Sequence, residues 1–177
     1  MLKEYAVEPA AIGSSWETFR YLIGLLTFEQ GRRISRFPRT WERDVIATAK
    51  AAGVTPIRLQ SIIERLRSAG IKGSILHFHR RYDPALGNWL TNAMIEHQRL
   101  PFHAVIAAGN PANDNGVVVV EDVTDEHQLI QSAHTWEVPR TGAAIAASVV
   151  PLMRGAREIL IIDPYLDWRD VPPAAGY

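Results

Sequence analysis

A chain of 177 residues that is 47% hydrophobic and 21% charged can bury a substantial core without covalent staples. It contains no cysteine, which excludes disulfides and thiolate metal centres. No apolar run reaches the roughly 18 residues that span a bilayer, and the opening Met-Leu-Lys-Glu-Tyr lacks the apolar stretch of a signal peptide. The expectation is a cytoplasmic protein of one domain, or of one domain plus an extension, with no membrane partner and no cofactor. The formal net charge of zero hides a segregation: residues 30–81 carry twelve bases against three acids, a sum of +9, while residues 1–29 sum to −2 and residues 82–177 to −7.

Taken in chain order, residues 15–30 predict a helix. Ser14 or Ser15 serves as its N-cap, Glu17 sits in its first turn, Gly31 ends it, and Phe19, Leu22, Ile23 and Leu26 recur at helical spacing. A basic loop follows, carrying Arg32, Arg33, Arg36 and Arg39 beside Phe37. Two further helices are expected, over 41–52 between Thr40 and Gly53, and over 56–69 between Thr55 and Gly70, the latter with Pro56 at its first position.

The pattern then turns extended. Strands are expected over 74–79, 104–108 and 117–120, the last two joined by the turn-rich stretch 109–116, with a helix over 88–99. An alanine-rich helix over 141–157, kinked or restarted by Pro151, leads into an apolar strand over 158–162. The fold class is therefore α/β or α+β: a basic helical region (1–72), a small mixed sheet with helices (73–168) and a disordered tail (169–177).

Four features bear on chemistry. In 45–66, Ala49 precedes Gly53 by four residues, and Leu59 and Ile62 follow that glycine by six and nine. This spacing resembles helix-turn-helix proteins, whose second helix enters the major groove; here that helix would present Arg58, Arg65 and Arg67. A plain helical hairpin with a solvated face has the same pattern. The basic segment combines arginine, suited to bidentate phosphate contact, with Phe37 and Trp41, suited to stacking on bases; the competing account is neutralisation by the acidic C-terminal part.

His77 and His79 alternate on one strand and so share a face, but a zinc site needs a third ligand. His97, His103, His127 and His134 follow no ligand spacing. Asp163 and Asp167 follow the last expected strand, where open α/β sheets bind ligands. Neither Gly-x-x-x-x-Gly-Lys nor Gly-x-Gly-x-x-Gly occurs.

Residues 138–167 run Val-Pro-Arg-Thr-Gly-Ala-Ala-Ile-Ala-Ala-Ser-Val-Val-Pro-Leu-Met-Arg-Gly-Ala-Arg-Glu-Ile-Leu-Ile-Ile-Asp-Pro-Tyr-Leu-Asp. They resemble the opening helix and first strand of phospholipase D-like proteins, an amphipathic helix running into an apolar strand that ends near a Pro-Tyr step. That family's His-x-Lys-x-x-x-x-Asp motif is absent; 77–83 supplies histidines, bases and an acid but no lysine two after a histidine. The resemblance thus carries over no catalytic residue, and it implies that the remainder of such a domain would lie beyond Tyr177.

The leading expectation is a nucleic-acid-binding or nucleic-acid-associated accessory protein, not a nuclease by itself. Its phosphate contacts would be Arg32, Arg33, Arg36, Arg39, Arg58, Arg65 and Arg67. The alternatives are an enzyme acting on a phosphodiester or nucleotide through His77, His79, Asp163 and Asp167, and a protein-interaction subunit docking an acidic partner. A homo-oligomer is also compatible with the sequence.

Overall fold

A computed structural model describes residues 2–78, 80–131, 139 and 141–153. The expected strand at 158–162, Asp163, Asp167, His79 and the tail at 169–177 lie outside the described residues. The fold is α/β. Five strands, β1 (Lys3–Val7), β2 (Arg32–Ser35), β3 (Ile75–Leu76), β4 (Ala104–Ala107) and β5 (Val117–Val119), form one sheet in the order β3-β2-β1-β4-β5. Every pairing among them is parallel, not mixed as the sequence suggested. Two strands come from residues 1–72, so the basic segment is not a separate helical region but shares one sheet with the strands of residues 73–131.

The helices are α1 (Pro9–Ile12), α2 (Trp16–Leu25), α3 (Trp41–Ala51), α4 (Pro56–Ile71), α5 (Trp89–Arg99) and α6 (Gly142–Met153). Strand alternation assigns the helices to two layers. Tyr5, Val7, Ile34, Ile75, Ala104, Ile106 and Val118 pack against Ile12, Phe19, Leu22, Trp41, Val45, Ile62 and Leu66 of α1–α4. Ala6, Val105, Ala107 and Val117 point the other way, against Trp89 and Ala93 of α5 and the rings of Phe37 and Phe102. A strand buried on both faces needs no polar alternation, which is why β4 and β5 read as plain apolar runs.

Side-chain caps start helices α2 and α5. The Ser15 hydroxyl accepts from the Thr18 amide at 3.0 Å, and Asn88 Oδ1 accepts from the Thr91 amide at 2.7 Å. The expected threonine caps do not form: neither Thr40 nor Thr55 caps with its side chain, and Thr40 Oγ1 instead donates to Asp44 Oδ2 at 2.6 Å. Gly53 ends α3 in the left-handed conformation (φ 76°), as the sequence implies. Gly70 does not end α4, which continues to Ile71 until Gly73 (φ 77°) supplies the left-handed turn.

The α3–α4 pair packs as expected, with Val45, Ala49, Ile62 and Leu66 buried and Leu59 against the same core. It also forms the crossover from β2 to β3. Strands β4 and β5 are joined by only the nine residues between Ala107 and Val117, with no helix. Asn110 replaces the helix as organiser: its Oδ1 accepts from the Asp114 amide at 2.9 Å, and its Nδ2 donates to the Asp114 and Val117 carbonyls. Asn113 takes a positive φ of 52°, which asparagine tolerates.

Candidate functional site

Doubly wound parallel sheets bind ligands off the carboxyl ends of their strands. Here β1 is followed by Glu8, whose Oε2 accepts from the Ala108 amide at 2.7 Å and so ties the ends of β1 and β4 together at the point where strand order reverses. Where dinucleotide-binding sheets place a glycine-rich turn, this chain has Glu8-Pro9, and a carboxylate there opposes a pyrophosphate. From the ends of β2 and β3 come Arg36 and His77. The Arg36 guanidinium is fixed by Glu42 (Nε to Oε2 2.7 Å) and lies 3.2 Å from His77 Nδ1. Since arginine only donates, that nitrogen of His77 accepts.

A cavity opens where the chain leaves β2; Glu8, Arg36 and His77 do not line it. It measures about 880 Å³ and is built from the 38–44 stretch that leads off β2 into α3, the 80–86 stretch, and α5. Its base is a buried ion network. Arg80, whose side chain is fully buried, pairs with Glu4 (2.6 Å) and lies 3.7 Å from Glu96, which Arg99 also grips at 2.5 Å. The Arg80 guanidinium rests 4.0 Å over the Phe102 ring and donates to the Leu100 carbonyl. Charges held this way do not move without exposing their partners.

Around the rim stand Arg39, Arg43 and Arg81, all exposed. Arg39 and Arg81 have no ion-pair or hydrogen-bond partner among the described residues, and Arg43 pairs only with its neighbour Asp44 at 3.5 Å. The rim also carries apolar surface, Leu86 (42% exposed) and Ile95 (48%). Tyr82 completes that wall, edge-on to Phe37 at 5.2 Å; burial, with help from the Asp44 charge, raises its hydroxyl pKa.

The arginines expected to contact phosphate divide sharply. Arg32 and Arg33 are buried in β2 and are not available to a ligand, which corrects that part of the expectation. Arg32 bonds the Leu25 carbonyl and Asp125, both at 3.1 Å. Arg33 donates to the Gly73 carbonyl at 2.7 Å and lies over the Phe28 ring, and burial lowers its pKa.

Arg36 is half-buried in its ion pair. Arg58 and Arg65 lie on α4 but meet α2, Arg58 through Glu17 (3.3 Å) and Arg65 over the Trp16 ring (5.7 Å). Arg67 is exposed. Of the seven, only Arg39 lines the cavity, while Arg43, Arg80, Arg81 and Arg99 line it although their sequence context does not distinguish them. The single sequence signal for them is the run of bases itself.

Of the enzymatic alternative, the structure describes only His77, which is exposed and tied to Arg36. Among the described residues no cluster of three or more histidines and carboxylates could hold a metal, and no helix is long and apolar enough to cross a membrane. Of the stretch that resembles phospholipase D-like proteins, α6 is helical as expected, and the strand lies outside the described residues. Comparison of the chain with protein-family models, with curated proteins and with solved structures finds no match.

Proposed function

We propose that this chain is a nucleic-acid-associated accessory protein that holds phosphates at the arginine rim of its cleft. The observation that carries this reading is the pair Arg39 and Arg81, exposed and without partners among the described residues, with Arg43 beside them, above a floor of paired and immobile charge. Guanidinium groups free of carboxylates are available for bidentate contact with phosphate oxygens. The resemblance of 138–167 to phospholipase D-like proteins, which act on phosphodiesters, points to the same ligand chemistry.

The expected consequence is salt-dependent binding of nucleic acid. Fluorescence anisotropy with a labelled oligonucleotide across a salt series reads both affinity and slope. Each phosphate contact contributes about −0.7 to the log–log slope on a single strand and about −0.9 on duplex DNA. Arg39→Ala and Arg81→Ala should each weaken binding and flatten the slope by about one contact, while Arg58→Ala, which does not line the cavity, should leave both unchanged. No binding at low salt, or binding indifferent to salt and to both rim substitutions, overturns the reading.

A further inference from the structure

We infer that the cleft takes unpaired nucleotides and so selects single-stranded over duplex nucleic acid; this rests on the phosphate-binding reading above. The argument starts from size. About 880 Å³ lies within the range of small-molecule pockets, room for one or two nucleotides and far too little for a double helix. It continues with the walls. Leu86 and Ile95 leave 42% and 48% of their surface open beside Arg39 and Arg81. Exposed aliphatic surface next to cations without a partner among the described residues has no use for a phosphate, but it matches the flat apolar face of a base.

Tyr82 adds a ring of fixed orientation, since its edge contact with Phe37 holds it in place. Aromatic stacking on bases tolerates any sequence. The polar side chains of the lining already make bonds within the chain, which leaves fewer of their positions to read base edges. Asn92 Oδ1 accepts from the Asp83 amide at 2.8 Å and its Nδ2 donates to the Asn88 carbonyl at 3.2 Å. Asp83 Oδ1 accepts from the Ala85 amide at 2.9 Å, and Asp44 Oδ2 accepts from Thr40 at 2.6 Å. A duplex, with its bases stacked inside, meets only the rim arginines; a single strand meets the arginines and the apolar wall together.

The test compares a labelled oligothymidylate with a duplex of equal length at the same low salt, on the full chain. The single strand should bind on the order of tenfold more tightly, the gain expected of one stacked base. Leu86→Ser and Ile95→Ser change exposed side chains that the fold does not need, and thermal melting checks that it is intact. Each should reduce that preference several-fold while keeping the salt slope, whereas Arg81→Ala should flatten the slope on both ligands. Duplex binding equal to or tighter than single-strand binding overturns the inference and leaves phosphate binding standing. So does a preference unmoved by either serine substitution. Binding of neither ligand removes the phosphate-binding reading, and the inference with it.

Discussion

The two faces of the sheet are built on different principles. The face under α1–α4 is mostly apolar: Ile12, Leu22, Ile34, Ile62 and Ile106 are fully buried together with the rings of Tyr5, Phe19 and Trp41, and the 123–131 stretch adds Val123 and Ile130 to the same cluster. The α5 face is aromatic and ionic. Phe37 stands at the centre of three edge contacts, to Tyr82, Trp89 and Phe102, and beside them the Arg80 network is buried. The first layer gains stability chiefly from apolar burial, with Arg32 as its one buried charge among the described residues, held by the Leu25 carbonyl and Asp125. A layer that buries charge gains little net energy from it, but it can hold side chains rigid at the edge of a cleft. The functional groups accordingly gather on the second face.

The sharpest way to break this contrast is to remove the cation at the centre of the ionic face. Arg80→Ala leaves the carboxylates of Glu4 (14% exposed) and Glu96 (2%) without it, and should cost about 3–5 kcal/mol in urea denaturation. Adding Glu4→Gln to that variant should recover part of the loss, because the charge left stranded is then gone. A loss below about 1 kcal/mol for Arg80→Ala would show that the network is solvated in solution, and the cleft floor not rigid.

The α1–α4 face has a steric test instead. Gly13 is where α1 crosses α3, and a Cβ there would lie 2.9 Å from the Val45 carbonyl oxygen, the Pro9 carbonyl oxygen and Thr48 Cβ. Backbone cannot yield cheaply, so Gly13→Ala should cost about 1–3 kcal/mol, read as a lowered melting temperature. Gly24, inside α2, has nothing within 4 Å of its would-be Cβ, so Gly24→Ala should be stabilising by about 0.5–1 kcal/mol. Equal effects from the two substitutions would mean that α1 and α3 are not in close contact.

How far these faces were legible in the sequence depends on the range of the causes. Helices α3, α4 and α5 announce themselves because periodicity and the residues at their ends act within a few positions; α2 starts at its serine cap but stops at Leu25, short of the expected end at Gly31, which instead closes the 3-10 turn over Phe28–Gln30. Strands β1 and β2 do not announce themselves. β2 reads Arg-Arg-Ile-Ser, and two adjacent arginines argue for solvent until their partners are known. Those partners are remote: Asp125 lies 93 positions from Arg32, and the Gly73 carbonyl 40 from Arg33. The charge segregation was a property of the sequence, but its spatial meaning was not, because burial in β2 removes two arginines from the surface. The cleft was equally hidden, since its walls come from 38–44, 80–86 and 92–99 and meet only after the sheet forms. The nine-residue link between β4 and β5 resembles any turn, and nothing local states that the strands it joins are parallel.

A pH-dependent effect is expected at the amino end of the sheet, where a titratable group sits under the α1–α4 face. His103 precedes β4, edge-on to the buried Tyr5 ring at 5.4 Å. Burial first, then the Lys3 charge, lower its pKa from 6.5 to about 4, against a weaker opposing hydrogen bond with the Leu129 backbone. Tyr5, donating to that Leu129 carbonyl at 2.9 Å, and Lys3, donating to the Gln131 carbonyl, tie the 123–131 stretch down over the same spot. Above pH 6.5 the imidazole is neutral whether the chain is folded or not, and it imposes no pH dependence. As pH falls from 6.5 toward 4 the unfolded chain takes up a proton that the folded chain refuses, so stability is lost across that window. Allowing for screening at this partly exposed site, the loss should be about 1–2 kcal/mol. Denaturation midpoints measured between about pH 4 and 7 should therefore fall less steeply in His103→Gln than in the parent chain. Identical slopes would place His103 in water, and with it the edge of the 123–131 stretch that covers it.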